Sequence, residues 1–429
     1  MRLLFVSNYF PPEVNAPATR LVEHARQWTA DGHAVEVLTS NPNFPEGEIY
    51  AGYTNRFGHG VVDGIKVTRV PMYVAENKGT LKRTLSYLSF GLSALLRSGQ
   101  LQQKPDLVVA TSPQFFCALG GYALARVHRV PFVLEVRDLW PESIVAVGAV
   151  QRGRVIEAFE ALERYLYRHA DHIVVVTDAF KEAIMAKGIA GDKISVVKNG
   201  ADLTFYGTPL DPDRLAELRK EFGFEGKFVA AYMGTLGMAH RADVLLEAAQ
   251  RCPDPDVLFV VMGAGAERAA LEAKQRALGL PNFRLLDKQP KHLMPYLLAL
   301  SDVNVVHLRD MPLFGTVIPS KIFEAMAMGR PVVIGVRGES QKIVEDGDVG
   351  LAIPPEDPEA LVEAVVRLKS SPELYARLST NGPAYVRQHY DRKTLARRYW
   401  DVLAEVWQRS RPPRRPAPPA SSPSDRSLS

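Results

Sequence analysis

"FVAAYMG", residues 228–234, is an apolar run closed by a glycine, and it stands where the chain begins its pattern a second time. Before it lies a polar, linker-like stretch at residues 200–226, and after it come "VLFVVMG", "FRLLD", "VNVVHL", "PVVIGV" and "GLAIP", each followed by a segment with helical spacing. Short continuous apolar runs separated by amphipathic segments suit parallel strands covered on both faces. The first half has the same rhythm, in "LLFVSN", "AVEVLTS", "IKVTRV", "DLVVATS", "PFVLEVRD" and "HIVVVTD". The chain therefore reads as α/β, with two doubly wound, Rossmann-like domains at residues 1–203 and 204–385. A long amphipathic helix is expected in residues 386–409, packing back toward the first domain, and the Pro/Ser/Arg-rich tail at 410–429 is expected to be disordered.

Composition narrows the functions. With 429 residues, two domains are the default. Apolar residues make up 46% and charged residues 23%, as in an ordinary globular protein. A net charge of +4 is too balanced for a nucleic-acid binder that relies on phosphate neutralisation. The two cysteines, Cys117 and Cys252, lie far apart and suit a reducing cytoplasm better than a disulfide framework. The start "MRLLFVSNYFPPE" reads as a first strand and not a signal peptide, and no apolar run is long enough to span a membrane.

Ligands of open α/β sheets bind beyond the carboxyl ends of the strands. In "YMGTLGMAHRADVLLEAA" Gly234 and Gly237 allow a close backbone approach, and Gly263 and Gly265 hold the equivalent place in "MGAGAERAAL". Neither loop completes a dinucleotide fingerprint, so each alone is a weak signal. The stretch "FGTVIPSKIFEAMAMGRPVV" carries more. Gly315 lies in its loop, Ser320 and Lys321 open its helix, and Glu324 follows one turn after Lys321. The neighbours Ile322, Phe323, Ala325 and Met326 leave little solvated surface, so the two charges need partners. A cation suited to a diphosphate and a carboxylate able to accept from vicinal ribose hydroxyls together match a sugar nucleotide.

These segments, with "SNYFPPEVNAPATRLVEHARQWTADGH", "EVRDLWPES" and "KNGAD", resemble the retaining GT-B glycosyltransferases of family 4, close to bacterial surface-polysaccharide L-fucosamine transferases. The resemblance covers residues 1 to about 409. It implies two Rossmann-like domains facing across a cleft, with the donor held by the second. Relatives open the helix with a Glu, seven residues, Glu signature. Glu324 matches the second member, whereas Thr316 stands at the first, a departure compatible with a deoxy sugar. Where relatives carry an arginine and then a lysine on the diphosphate, this chain has Thr235 and His240, so the positive charge falls to Lys321, Arg309 or Arg241.

The first domain is expected to supply the acceptor side. Asn15 and Ala16 occupy the place of the relatives' glycines, and Glu13 and Arg20 read equally as site or surface groups. Arg137 and Asp138, in "EVRDLWPES", stand where family members project a catalytic-cleft residue. In "NKGTLKRTLSYLSFGLSALLRS", Leu81, Leu85, Leu88, Leu92 and Leu95 lie near helical spacing among Lys78, Lys82, Arg83 and Arg97. This reads equally as an ordinary helix or as a basic amphipathic membrane contact. The resemblance tips it toward the membrane.

The expected activity is transfer of a sugar, an N-acetylated 6-deoxyhexosamine, from a UDP-sugar to a polyprenyl-diphosphate-linked saccharide with retention. The resemblance places it at the cytoplasmic face of the inner membrane. No cofactor is expected. No metal is expected either, because the chain lacks an Asp-x-Asp pair at a strand end; its two "DPD" runs lie in the linker and before a strand. The alternative is a non-catalytic sugar-nucleotide-binding subunit of a polysaccharide assembly complex.

Overall fold

The computed structural model describes residues 1–411 except 45, 76–79, 147 and 149–152; Lys78 and all but the start of the expected tail lie outside these. Strands β1 (Arg2–Val6), β2 (Ala34–Ser40), β3 (Gly58–Val62), β4 (Ile65–Val70), β5 (Leu107–Ser112), β6 (Phe132–Val136), β7 (His172–Val175) and β8 (Ile194–Val196) form one sheet, in the order β3-β4-β2-β1-β5-β6-β7-β8. Strands β9 (Phe228–Met233), β10 (Val257–Met262), β11 (Phe283–Leu286), β12 (Val303–His307), β13 (Val332–Gly335) and β14 (Gly350–Ala352) form the second, in the order β11-β10-β9-β12-β13-β14. Every pairing is parallel except that of β3 with β4. Central strands such as "LVVATS" and "VLFVVM" are buried along their whole length, which is why they show no alternation of apolar and polar residues.

Strand β3, "GHGVV", escapes sequence reading because it is a largely exposed edge with no apolar run. Its antiparallel partner is reached through Asp63 and Gly64, both with left-handed φ (52° and 79°), the geometry of a two-residue hairpin turn.

The chain passes between the halves twice, and the two passages lie side by side. The Ala201 N–H donates to the Tyr390 carbonyl and the Arg392 N–H to the Ala201 carbonyl, each at 3.0 Å. A Cβ on Gly200 would stand 2.0 Å from the Tyr390 carbonyl oxygen, so this contact requires glycine. The boundary expected at residue 385 falls inside the helix Pro372–His389, and the return passage comes after that helix, at Tyr390 and Asp391. The helix Arg392–Arg409 then lies on the first half. Its Tyr399, Trp400, Leu403 and Val406 share a core with Leu3, Phe5 and Trp28, and the Trp28 indole donates to the Ala396 carbonyl at 2.7 Å. Two ion pairs join the halves across the cleft, Lys198 to Glu339 at 2.6 Å and Lys291 to Glu23 at 2.9 Å.

Candidate functional site

The second sheet gathers its loops at the carboxyl ends of β9, β10 and β12. The β9 loop passes through Gly234, whose φ of 147° puts it in glycine's region, and Gly263 lies beneath it. A Cβ on Gly263 would stand 1.8 Å from the Gly234 carbonyl oxygen, so Gly263 serves to seat one loop on the other. Gly338, which sequence reading passes over, does the same for Gly315: its Cβ would stand 2.1 Å from the Gly315 carbonyl oxygen. The Thr316 hydroxyl donates to the Leu313 carbonyl at 2.7 Å, and Ser320 begins the helix Lys321–Ala327 without capping it through its side chain.

Lys321 is the unusual member. Its Nζ is buried, has no hydrogen-bond acceptor, and sits 3.8 Å from the centroid of the Tyr232 ring. A Cβ on Gly234 would stand 2.8 Å from that same Nζ, which places the ammonium directly under the glycine loop. A cation on a ring face gains roughly 0.5–2 kcal/mol, far less than hydration supplies to a free ammonium. Burial accordingly pushes the Lys321 amine down to about 7, although Glu324 opposes the shift. Burial raises the Glu324 carboxyl, while a hydrogen bond from the Tyr206 hydroxyl and the charges of Lys291 and Lys321 hold it back. Neither Tyr206 nor Lys291 is visible as a site residue in sequence, because each lies far from residue 324 in the chain and belongs to no motif.

Of the cations expected to serve a diphosphate, Lys321 and Arg309 have no ion-pair partner among the described residues. The Arg309 Nε is buried without a partner. Arg241, by contrast, is committed to Asp243 at 2.8 Å, Glu356 at 2.6 Å and Glu247 at 3.5 Å, which removes it from the set. Thr235 is exposed, and its carbonyl accepts from the Tyr232 hydroxyl at 2.7 Å.

The first half is arranged differently from expectation at two positions. Glu13 is 2% exposed and accepts from the backbone N–H groups of Phe10, Asn43 and Phe44, so it ties loops together. Arg20 is 7% exposed, pairs with Glu135 at 3.1 Å, and donates to Val197, Lys198 and Asn199. Neither is a surface group, and Arg20 grips the passage between the halves. Asn15 caps the helix Ala16–Ala30 by accepting from the Ala18 N–H at 2.9 Å, and its Nδ2 is buried without a partner. Asp138 accepts from the Ser143 hydroxyl at 2.9 Å, and burial raises its carboxyl. The Arg137 side chain makes no hydrogen bond to the other described residues; burial lowers it, with Glu135 and Asp138 opposing.

Residues 15–200 match the family described as glycosyl transferase 4-like domain, and residues 214–385 match glycosyl transferases group 1. The chain is a GT-B glycosyltransferase. It is 25% identical over 410 residues to WcaI of Escherichia coli K12, named for colanic acid biosynthesis glycosyl transfer, covering 93% of this chain and 98% of that one. It is 24% identical over 372 residues to the D-rhamnosyltransferase WbpZ of Pseudomonas aeruginosa, covering 86% of each. Among solved structures, Anabaena Alr3699/HepE in complex with UDP and glucose superposes with a TM-score of 0.72 at 19% identity, covering 94% of this chain and 99% of that one.

In this glycosyltransferase the donor-side candidates Arg309, Gly234 and Thr235 come from loops, Gly315 from a short helical turn, and Lys321 and Glu324 from the helix Lys321–Ala327, all following strands of the second sheet. Arg137 and Asp138 come from the carboxyl end of β6 in the first. Among the described residues no cluster of His, Cys, Asp and Glu could hold a metal ion, and no helix is long and apolar enough to cross a membrane.

Proposed function

We propose that the protein transfers a sugar from a nucleoside diphosphate donor, UDP-linked, to a lipid-linked saccharide during bacterial surface-polysaccharide synthesis, with retention of configuration. The observation that carries this reading is the buried Lys321 ammonium, without an acceptor, one helical turn from Glu324. A diphosphate supplies the missing anion, and the ribose hydroxyls supply donors for the carboxylate. WcaI, named for colanic acid biosynthesis, supports the polysaccharide context, and HepE, solved with UDP and glucose, supports the donor class. Thr316, shorter than the relatives' glutamate and engaged with Leu313, suits a sugar lacking a hydroxyl there, such as an N-acetylated 6-deoxyhexosamine.

In this reading the donor's own diphosphate oxygen takes the acceptor proton on the face from which the leaving group departs, so no protein nucleophile is needed. Asp138 and Arg137 orient the acceptor and balance charge near the anomeric carbon. Lys321 and Arg309 neutralise the diphosphate as it leaves, the work a divalent ion does elsewhere.

The acceptor's polyprenyl chain needs a membrane, and the helix Thr80–Leu96 offers a face for one. Leu85, Leu88, Leu92 and Leu96 are 46%, 47%, 56% and 74% exposed on one stripe, with Lys82 exposed beside them. Leu95 turns inward, so Leu96 takes its expected place; the Leu81 and Arg83 side chains lie outside the described residues. Peripheral contact with the cytoplasmic face of the inner membrane through this stripe is part of the proposal.

Release of UDP from a UDP-linked N-acetyl-6-deoxyhexosamine on adding a polyprenyl-diphosphate saccharide tests the reading. Full turnover is expected in excess EDTA. Turnover that is lost in EDTA and returns only with Mg²⁺ or Mn²⁺ overturns the metal-free reading.

A further inference from the structure

Two titratable nitrogens in the donor cradle are buried without a hydrogen-bond partner among the described residues. Lys321 Nζ is one. The other is the His240 Nδ1, also buried and without a partner, on a ring that meets the Tyr232 ring edge-on at 6.4 Å between centroids. Lys321 and His240 therefore flank one tyrosine, beneath the loop that runs from Gly234 to His240. A Cβ on Gly237 would stand 3.3 Å from the His240 Nδ1, so the glycines leave this nitrogen room as well.

The charged groups around the pair are accounted for. Glu324, on the same helix as Lys321, is held by Tyr206 and lies near Lys291. His307, from β12, is neutral by its bonds: its Nε2 accepts from the Glu356 N–H at 2.7 Å, so its Nδ1 carries the proton and donates to the His240 carbonyl at 3.2 Å. Arg241 and Glu356 satisfy each other at 2.6 Å. Arg309 brings a permanent cation with its Nε unpaired. No carboxylate other than Glu324 is among the charges that act on Lys321, and none acts on His240.

From this geometry we infer that donor binding takes up protons, through Lys321 first and His240 second. The inference rests on the proposed nucleotide-sugar reading and deepens it. In the protein alone burial pushes Lys321 down to about 7, and burial followed by the charge of Lys321 pushes His240 down to about 4, against the nearby Gly237 backbone, which favours the charged ring. Both are therefore largely neutral somewhat above neutral pH. A diphosphate placed against them reverses the balance, because an adjacent anion favours the charged form of each. Affinity then falls as pH rises, because each bound donor must first collect protons from solvent: the Lys321 share is full well below pH 7 and is lost above it, and the His240 share grows as pH falls toward 4.

The test is calorimetric titration with UDP-glucose and with GDP-mannose, whose diphosphates do not titrate in this range, in buffers of contrasting ionisation enthalpy. The account expects uptake of about one proton per donor near pH 8, and a Kd that rises by up to about tenfold per pH unit above pH 7. Lys321→Arg, which cannot discharge, should still bind while its uptake falls by about one proton. His240→Gln should keep the Lys321 share and lose what uptake remains near pH 6.5. A wild-type protein that binds either donor with no uptake and a pH-independent Kd overturns the inference, even if a variant fails to fold. Failure of both donors to bind at any pH overturns instead the donor reading beneath it.

Discussion

Glu324→Gln is expected to weaken donor binding by roughly ten- to a hundredfold, the effect of losing a charged hydrogen-bond acceptor worth about 1.5–3 kcal/mol. The carboxylate offers two acceptor oxygens. Tyr206 uses part of that capacity, and the rest is available to vicinal ribose hydroxyls. Glutamine keeps one oxygen, on which Tyr206 can still donate, and its amide offers the ribose a donor where an acceptor is needed. The fold should be indifferent, because the variant also removes a charge whose burial is costly. The melting temperature of the empty protein should therefore stay unchanged while the calorimetric Kd rises. Unchanged affinity for every nucleotide sugar would mean that Glu324 merely partners Tyr206.

Asp138→Asn is expected to do the reverse: turnover falls by about a hundredfold, in the range mutagenesis assigns to groups acting on developing charge or proton transfer, and donor Kd changes little. The argument is positional. Asp138 follows the end of β6 in the first half, so it is well placed to meet the acceptor, whereas the cradle at Lys321 belongs to the second half. Asparagine can keep the bond from Ser143 Oγ, so the helix Glu142–Ala146 should hold its place while the charge is lost. Measured kcat and donor Kd on the same preparation separate the two effects. Turnover at the parent rate with lipid-linked acceptor would leave Asp138 as the partner of Ser143 alone, and the catalytic role would pass to Arg137, whose side chain has no hydrogen bond among the described residues.

Much of the architecture could be read from apolar runs, because parallel strands buried on both faces leave that mark whatever surrounds them. Strand β3 left none, being an exposed edge held by a two-residue turn. At the site, Glu324 and Lys321 were legible because two charges interrupt an otherwise apolar helix. Glu13 and Arg20 were not, since a lone charge, in a loop like Glu13 or on a helix like Arg20, looks the same in sequence whether it faces a ligand or ties the chain to itself. Burial and partners distinguish these, and they can depend on residues remote in the chain, such as the Val197 to Asn199 stretch that Arg20 grips. Tyr206 and Lys291 likewise lie outside the "SKIFEAMAMG" helix and are hidden from any reading of it.

A crystal structure of the protein with UDP tests the central claim most directly. The account predicts a diphosphate oxygen within about 3 Å of the Lys321 Nζ, the ribose hydroxyls on Glu324, and the Gly234 loop against the phosphates. A nucleotide bound elsewhere, with the Lys321 ammonium still resting on Tyr232 and no oxygen near it, would contradict it.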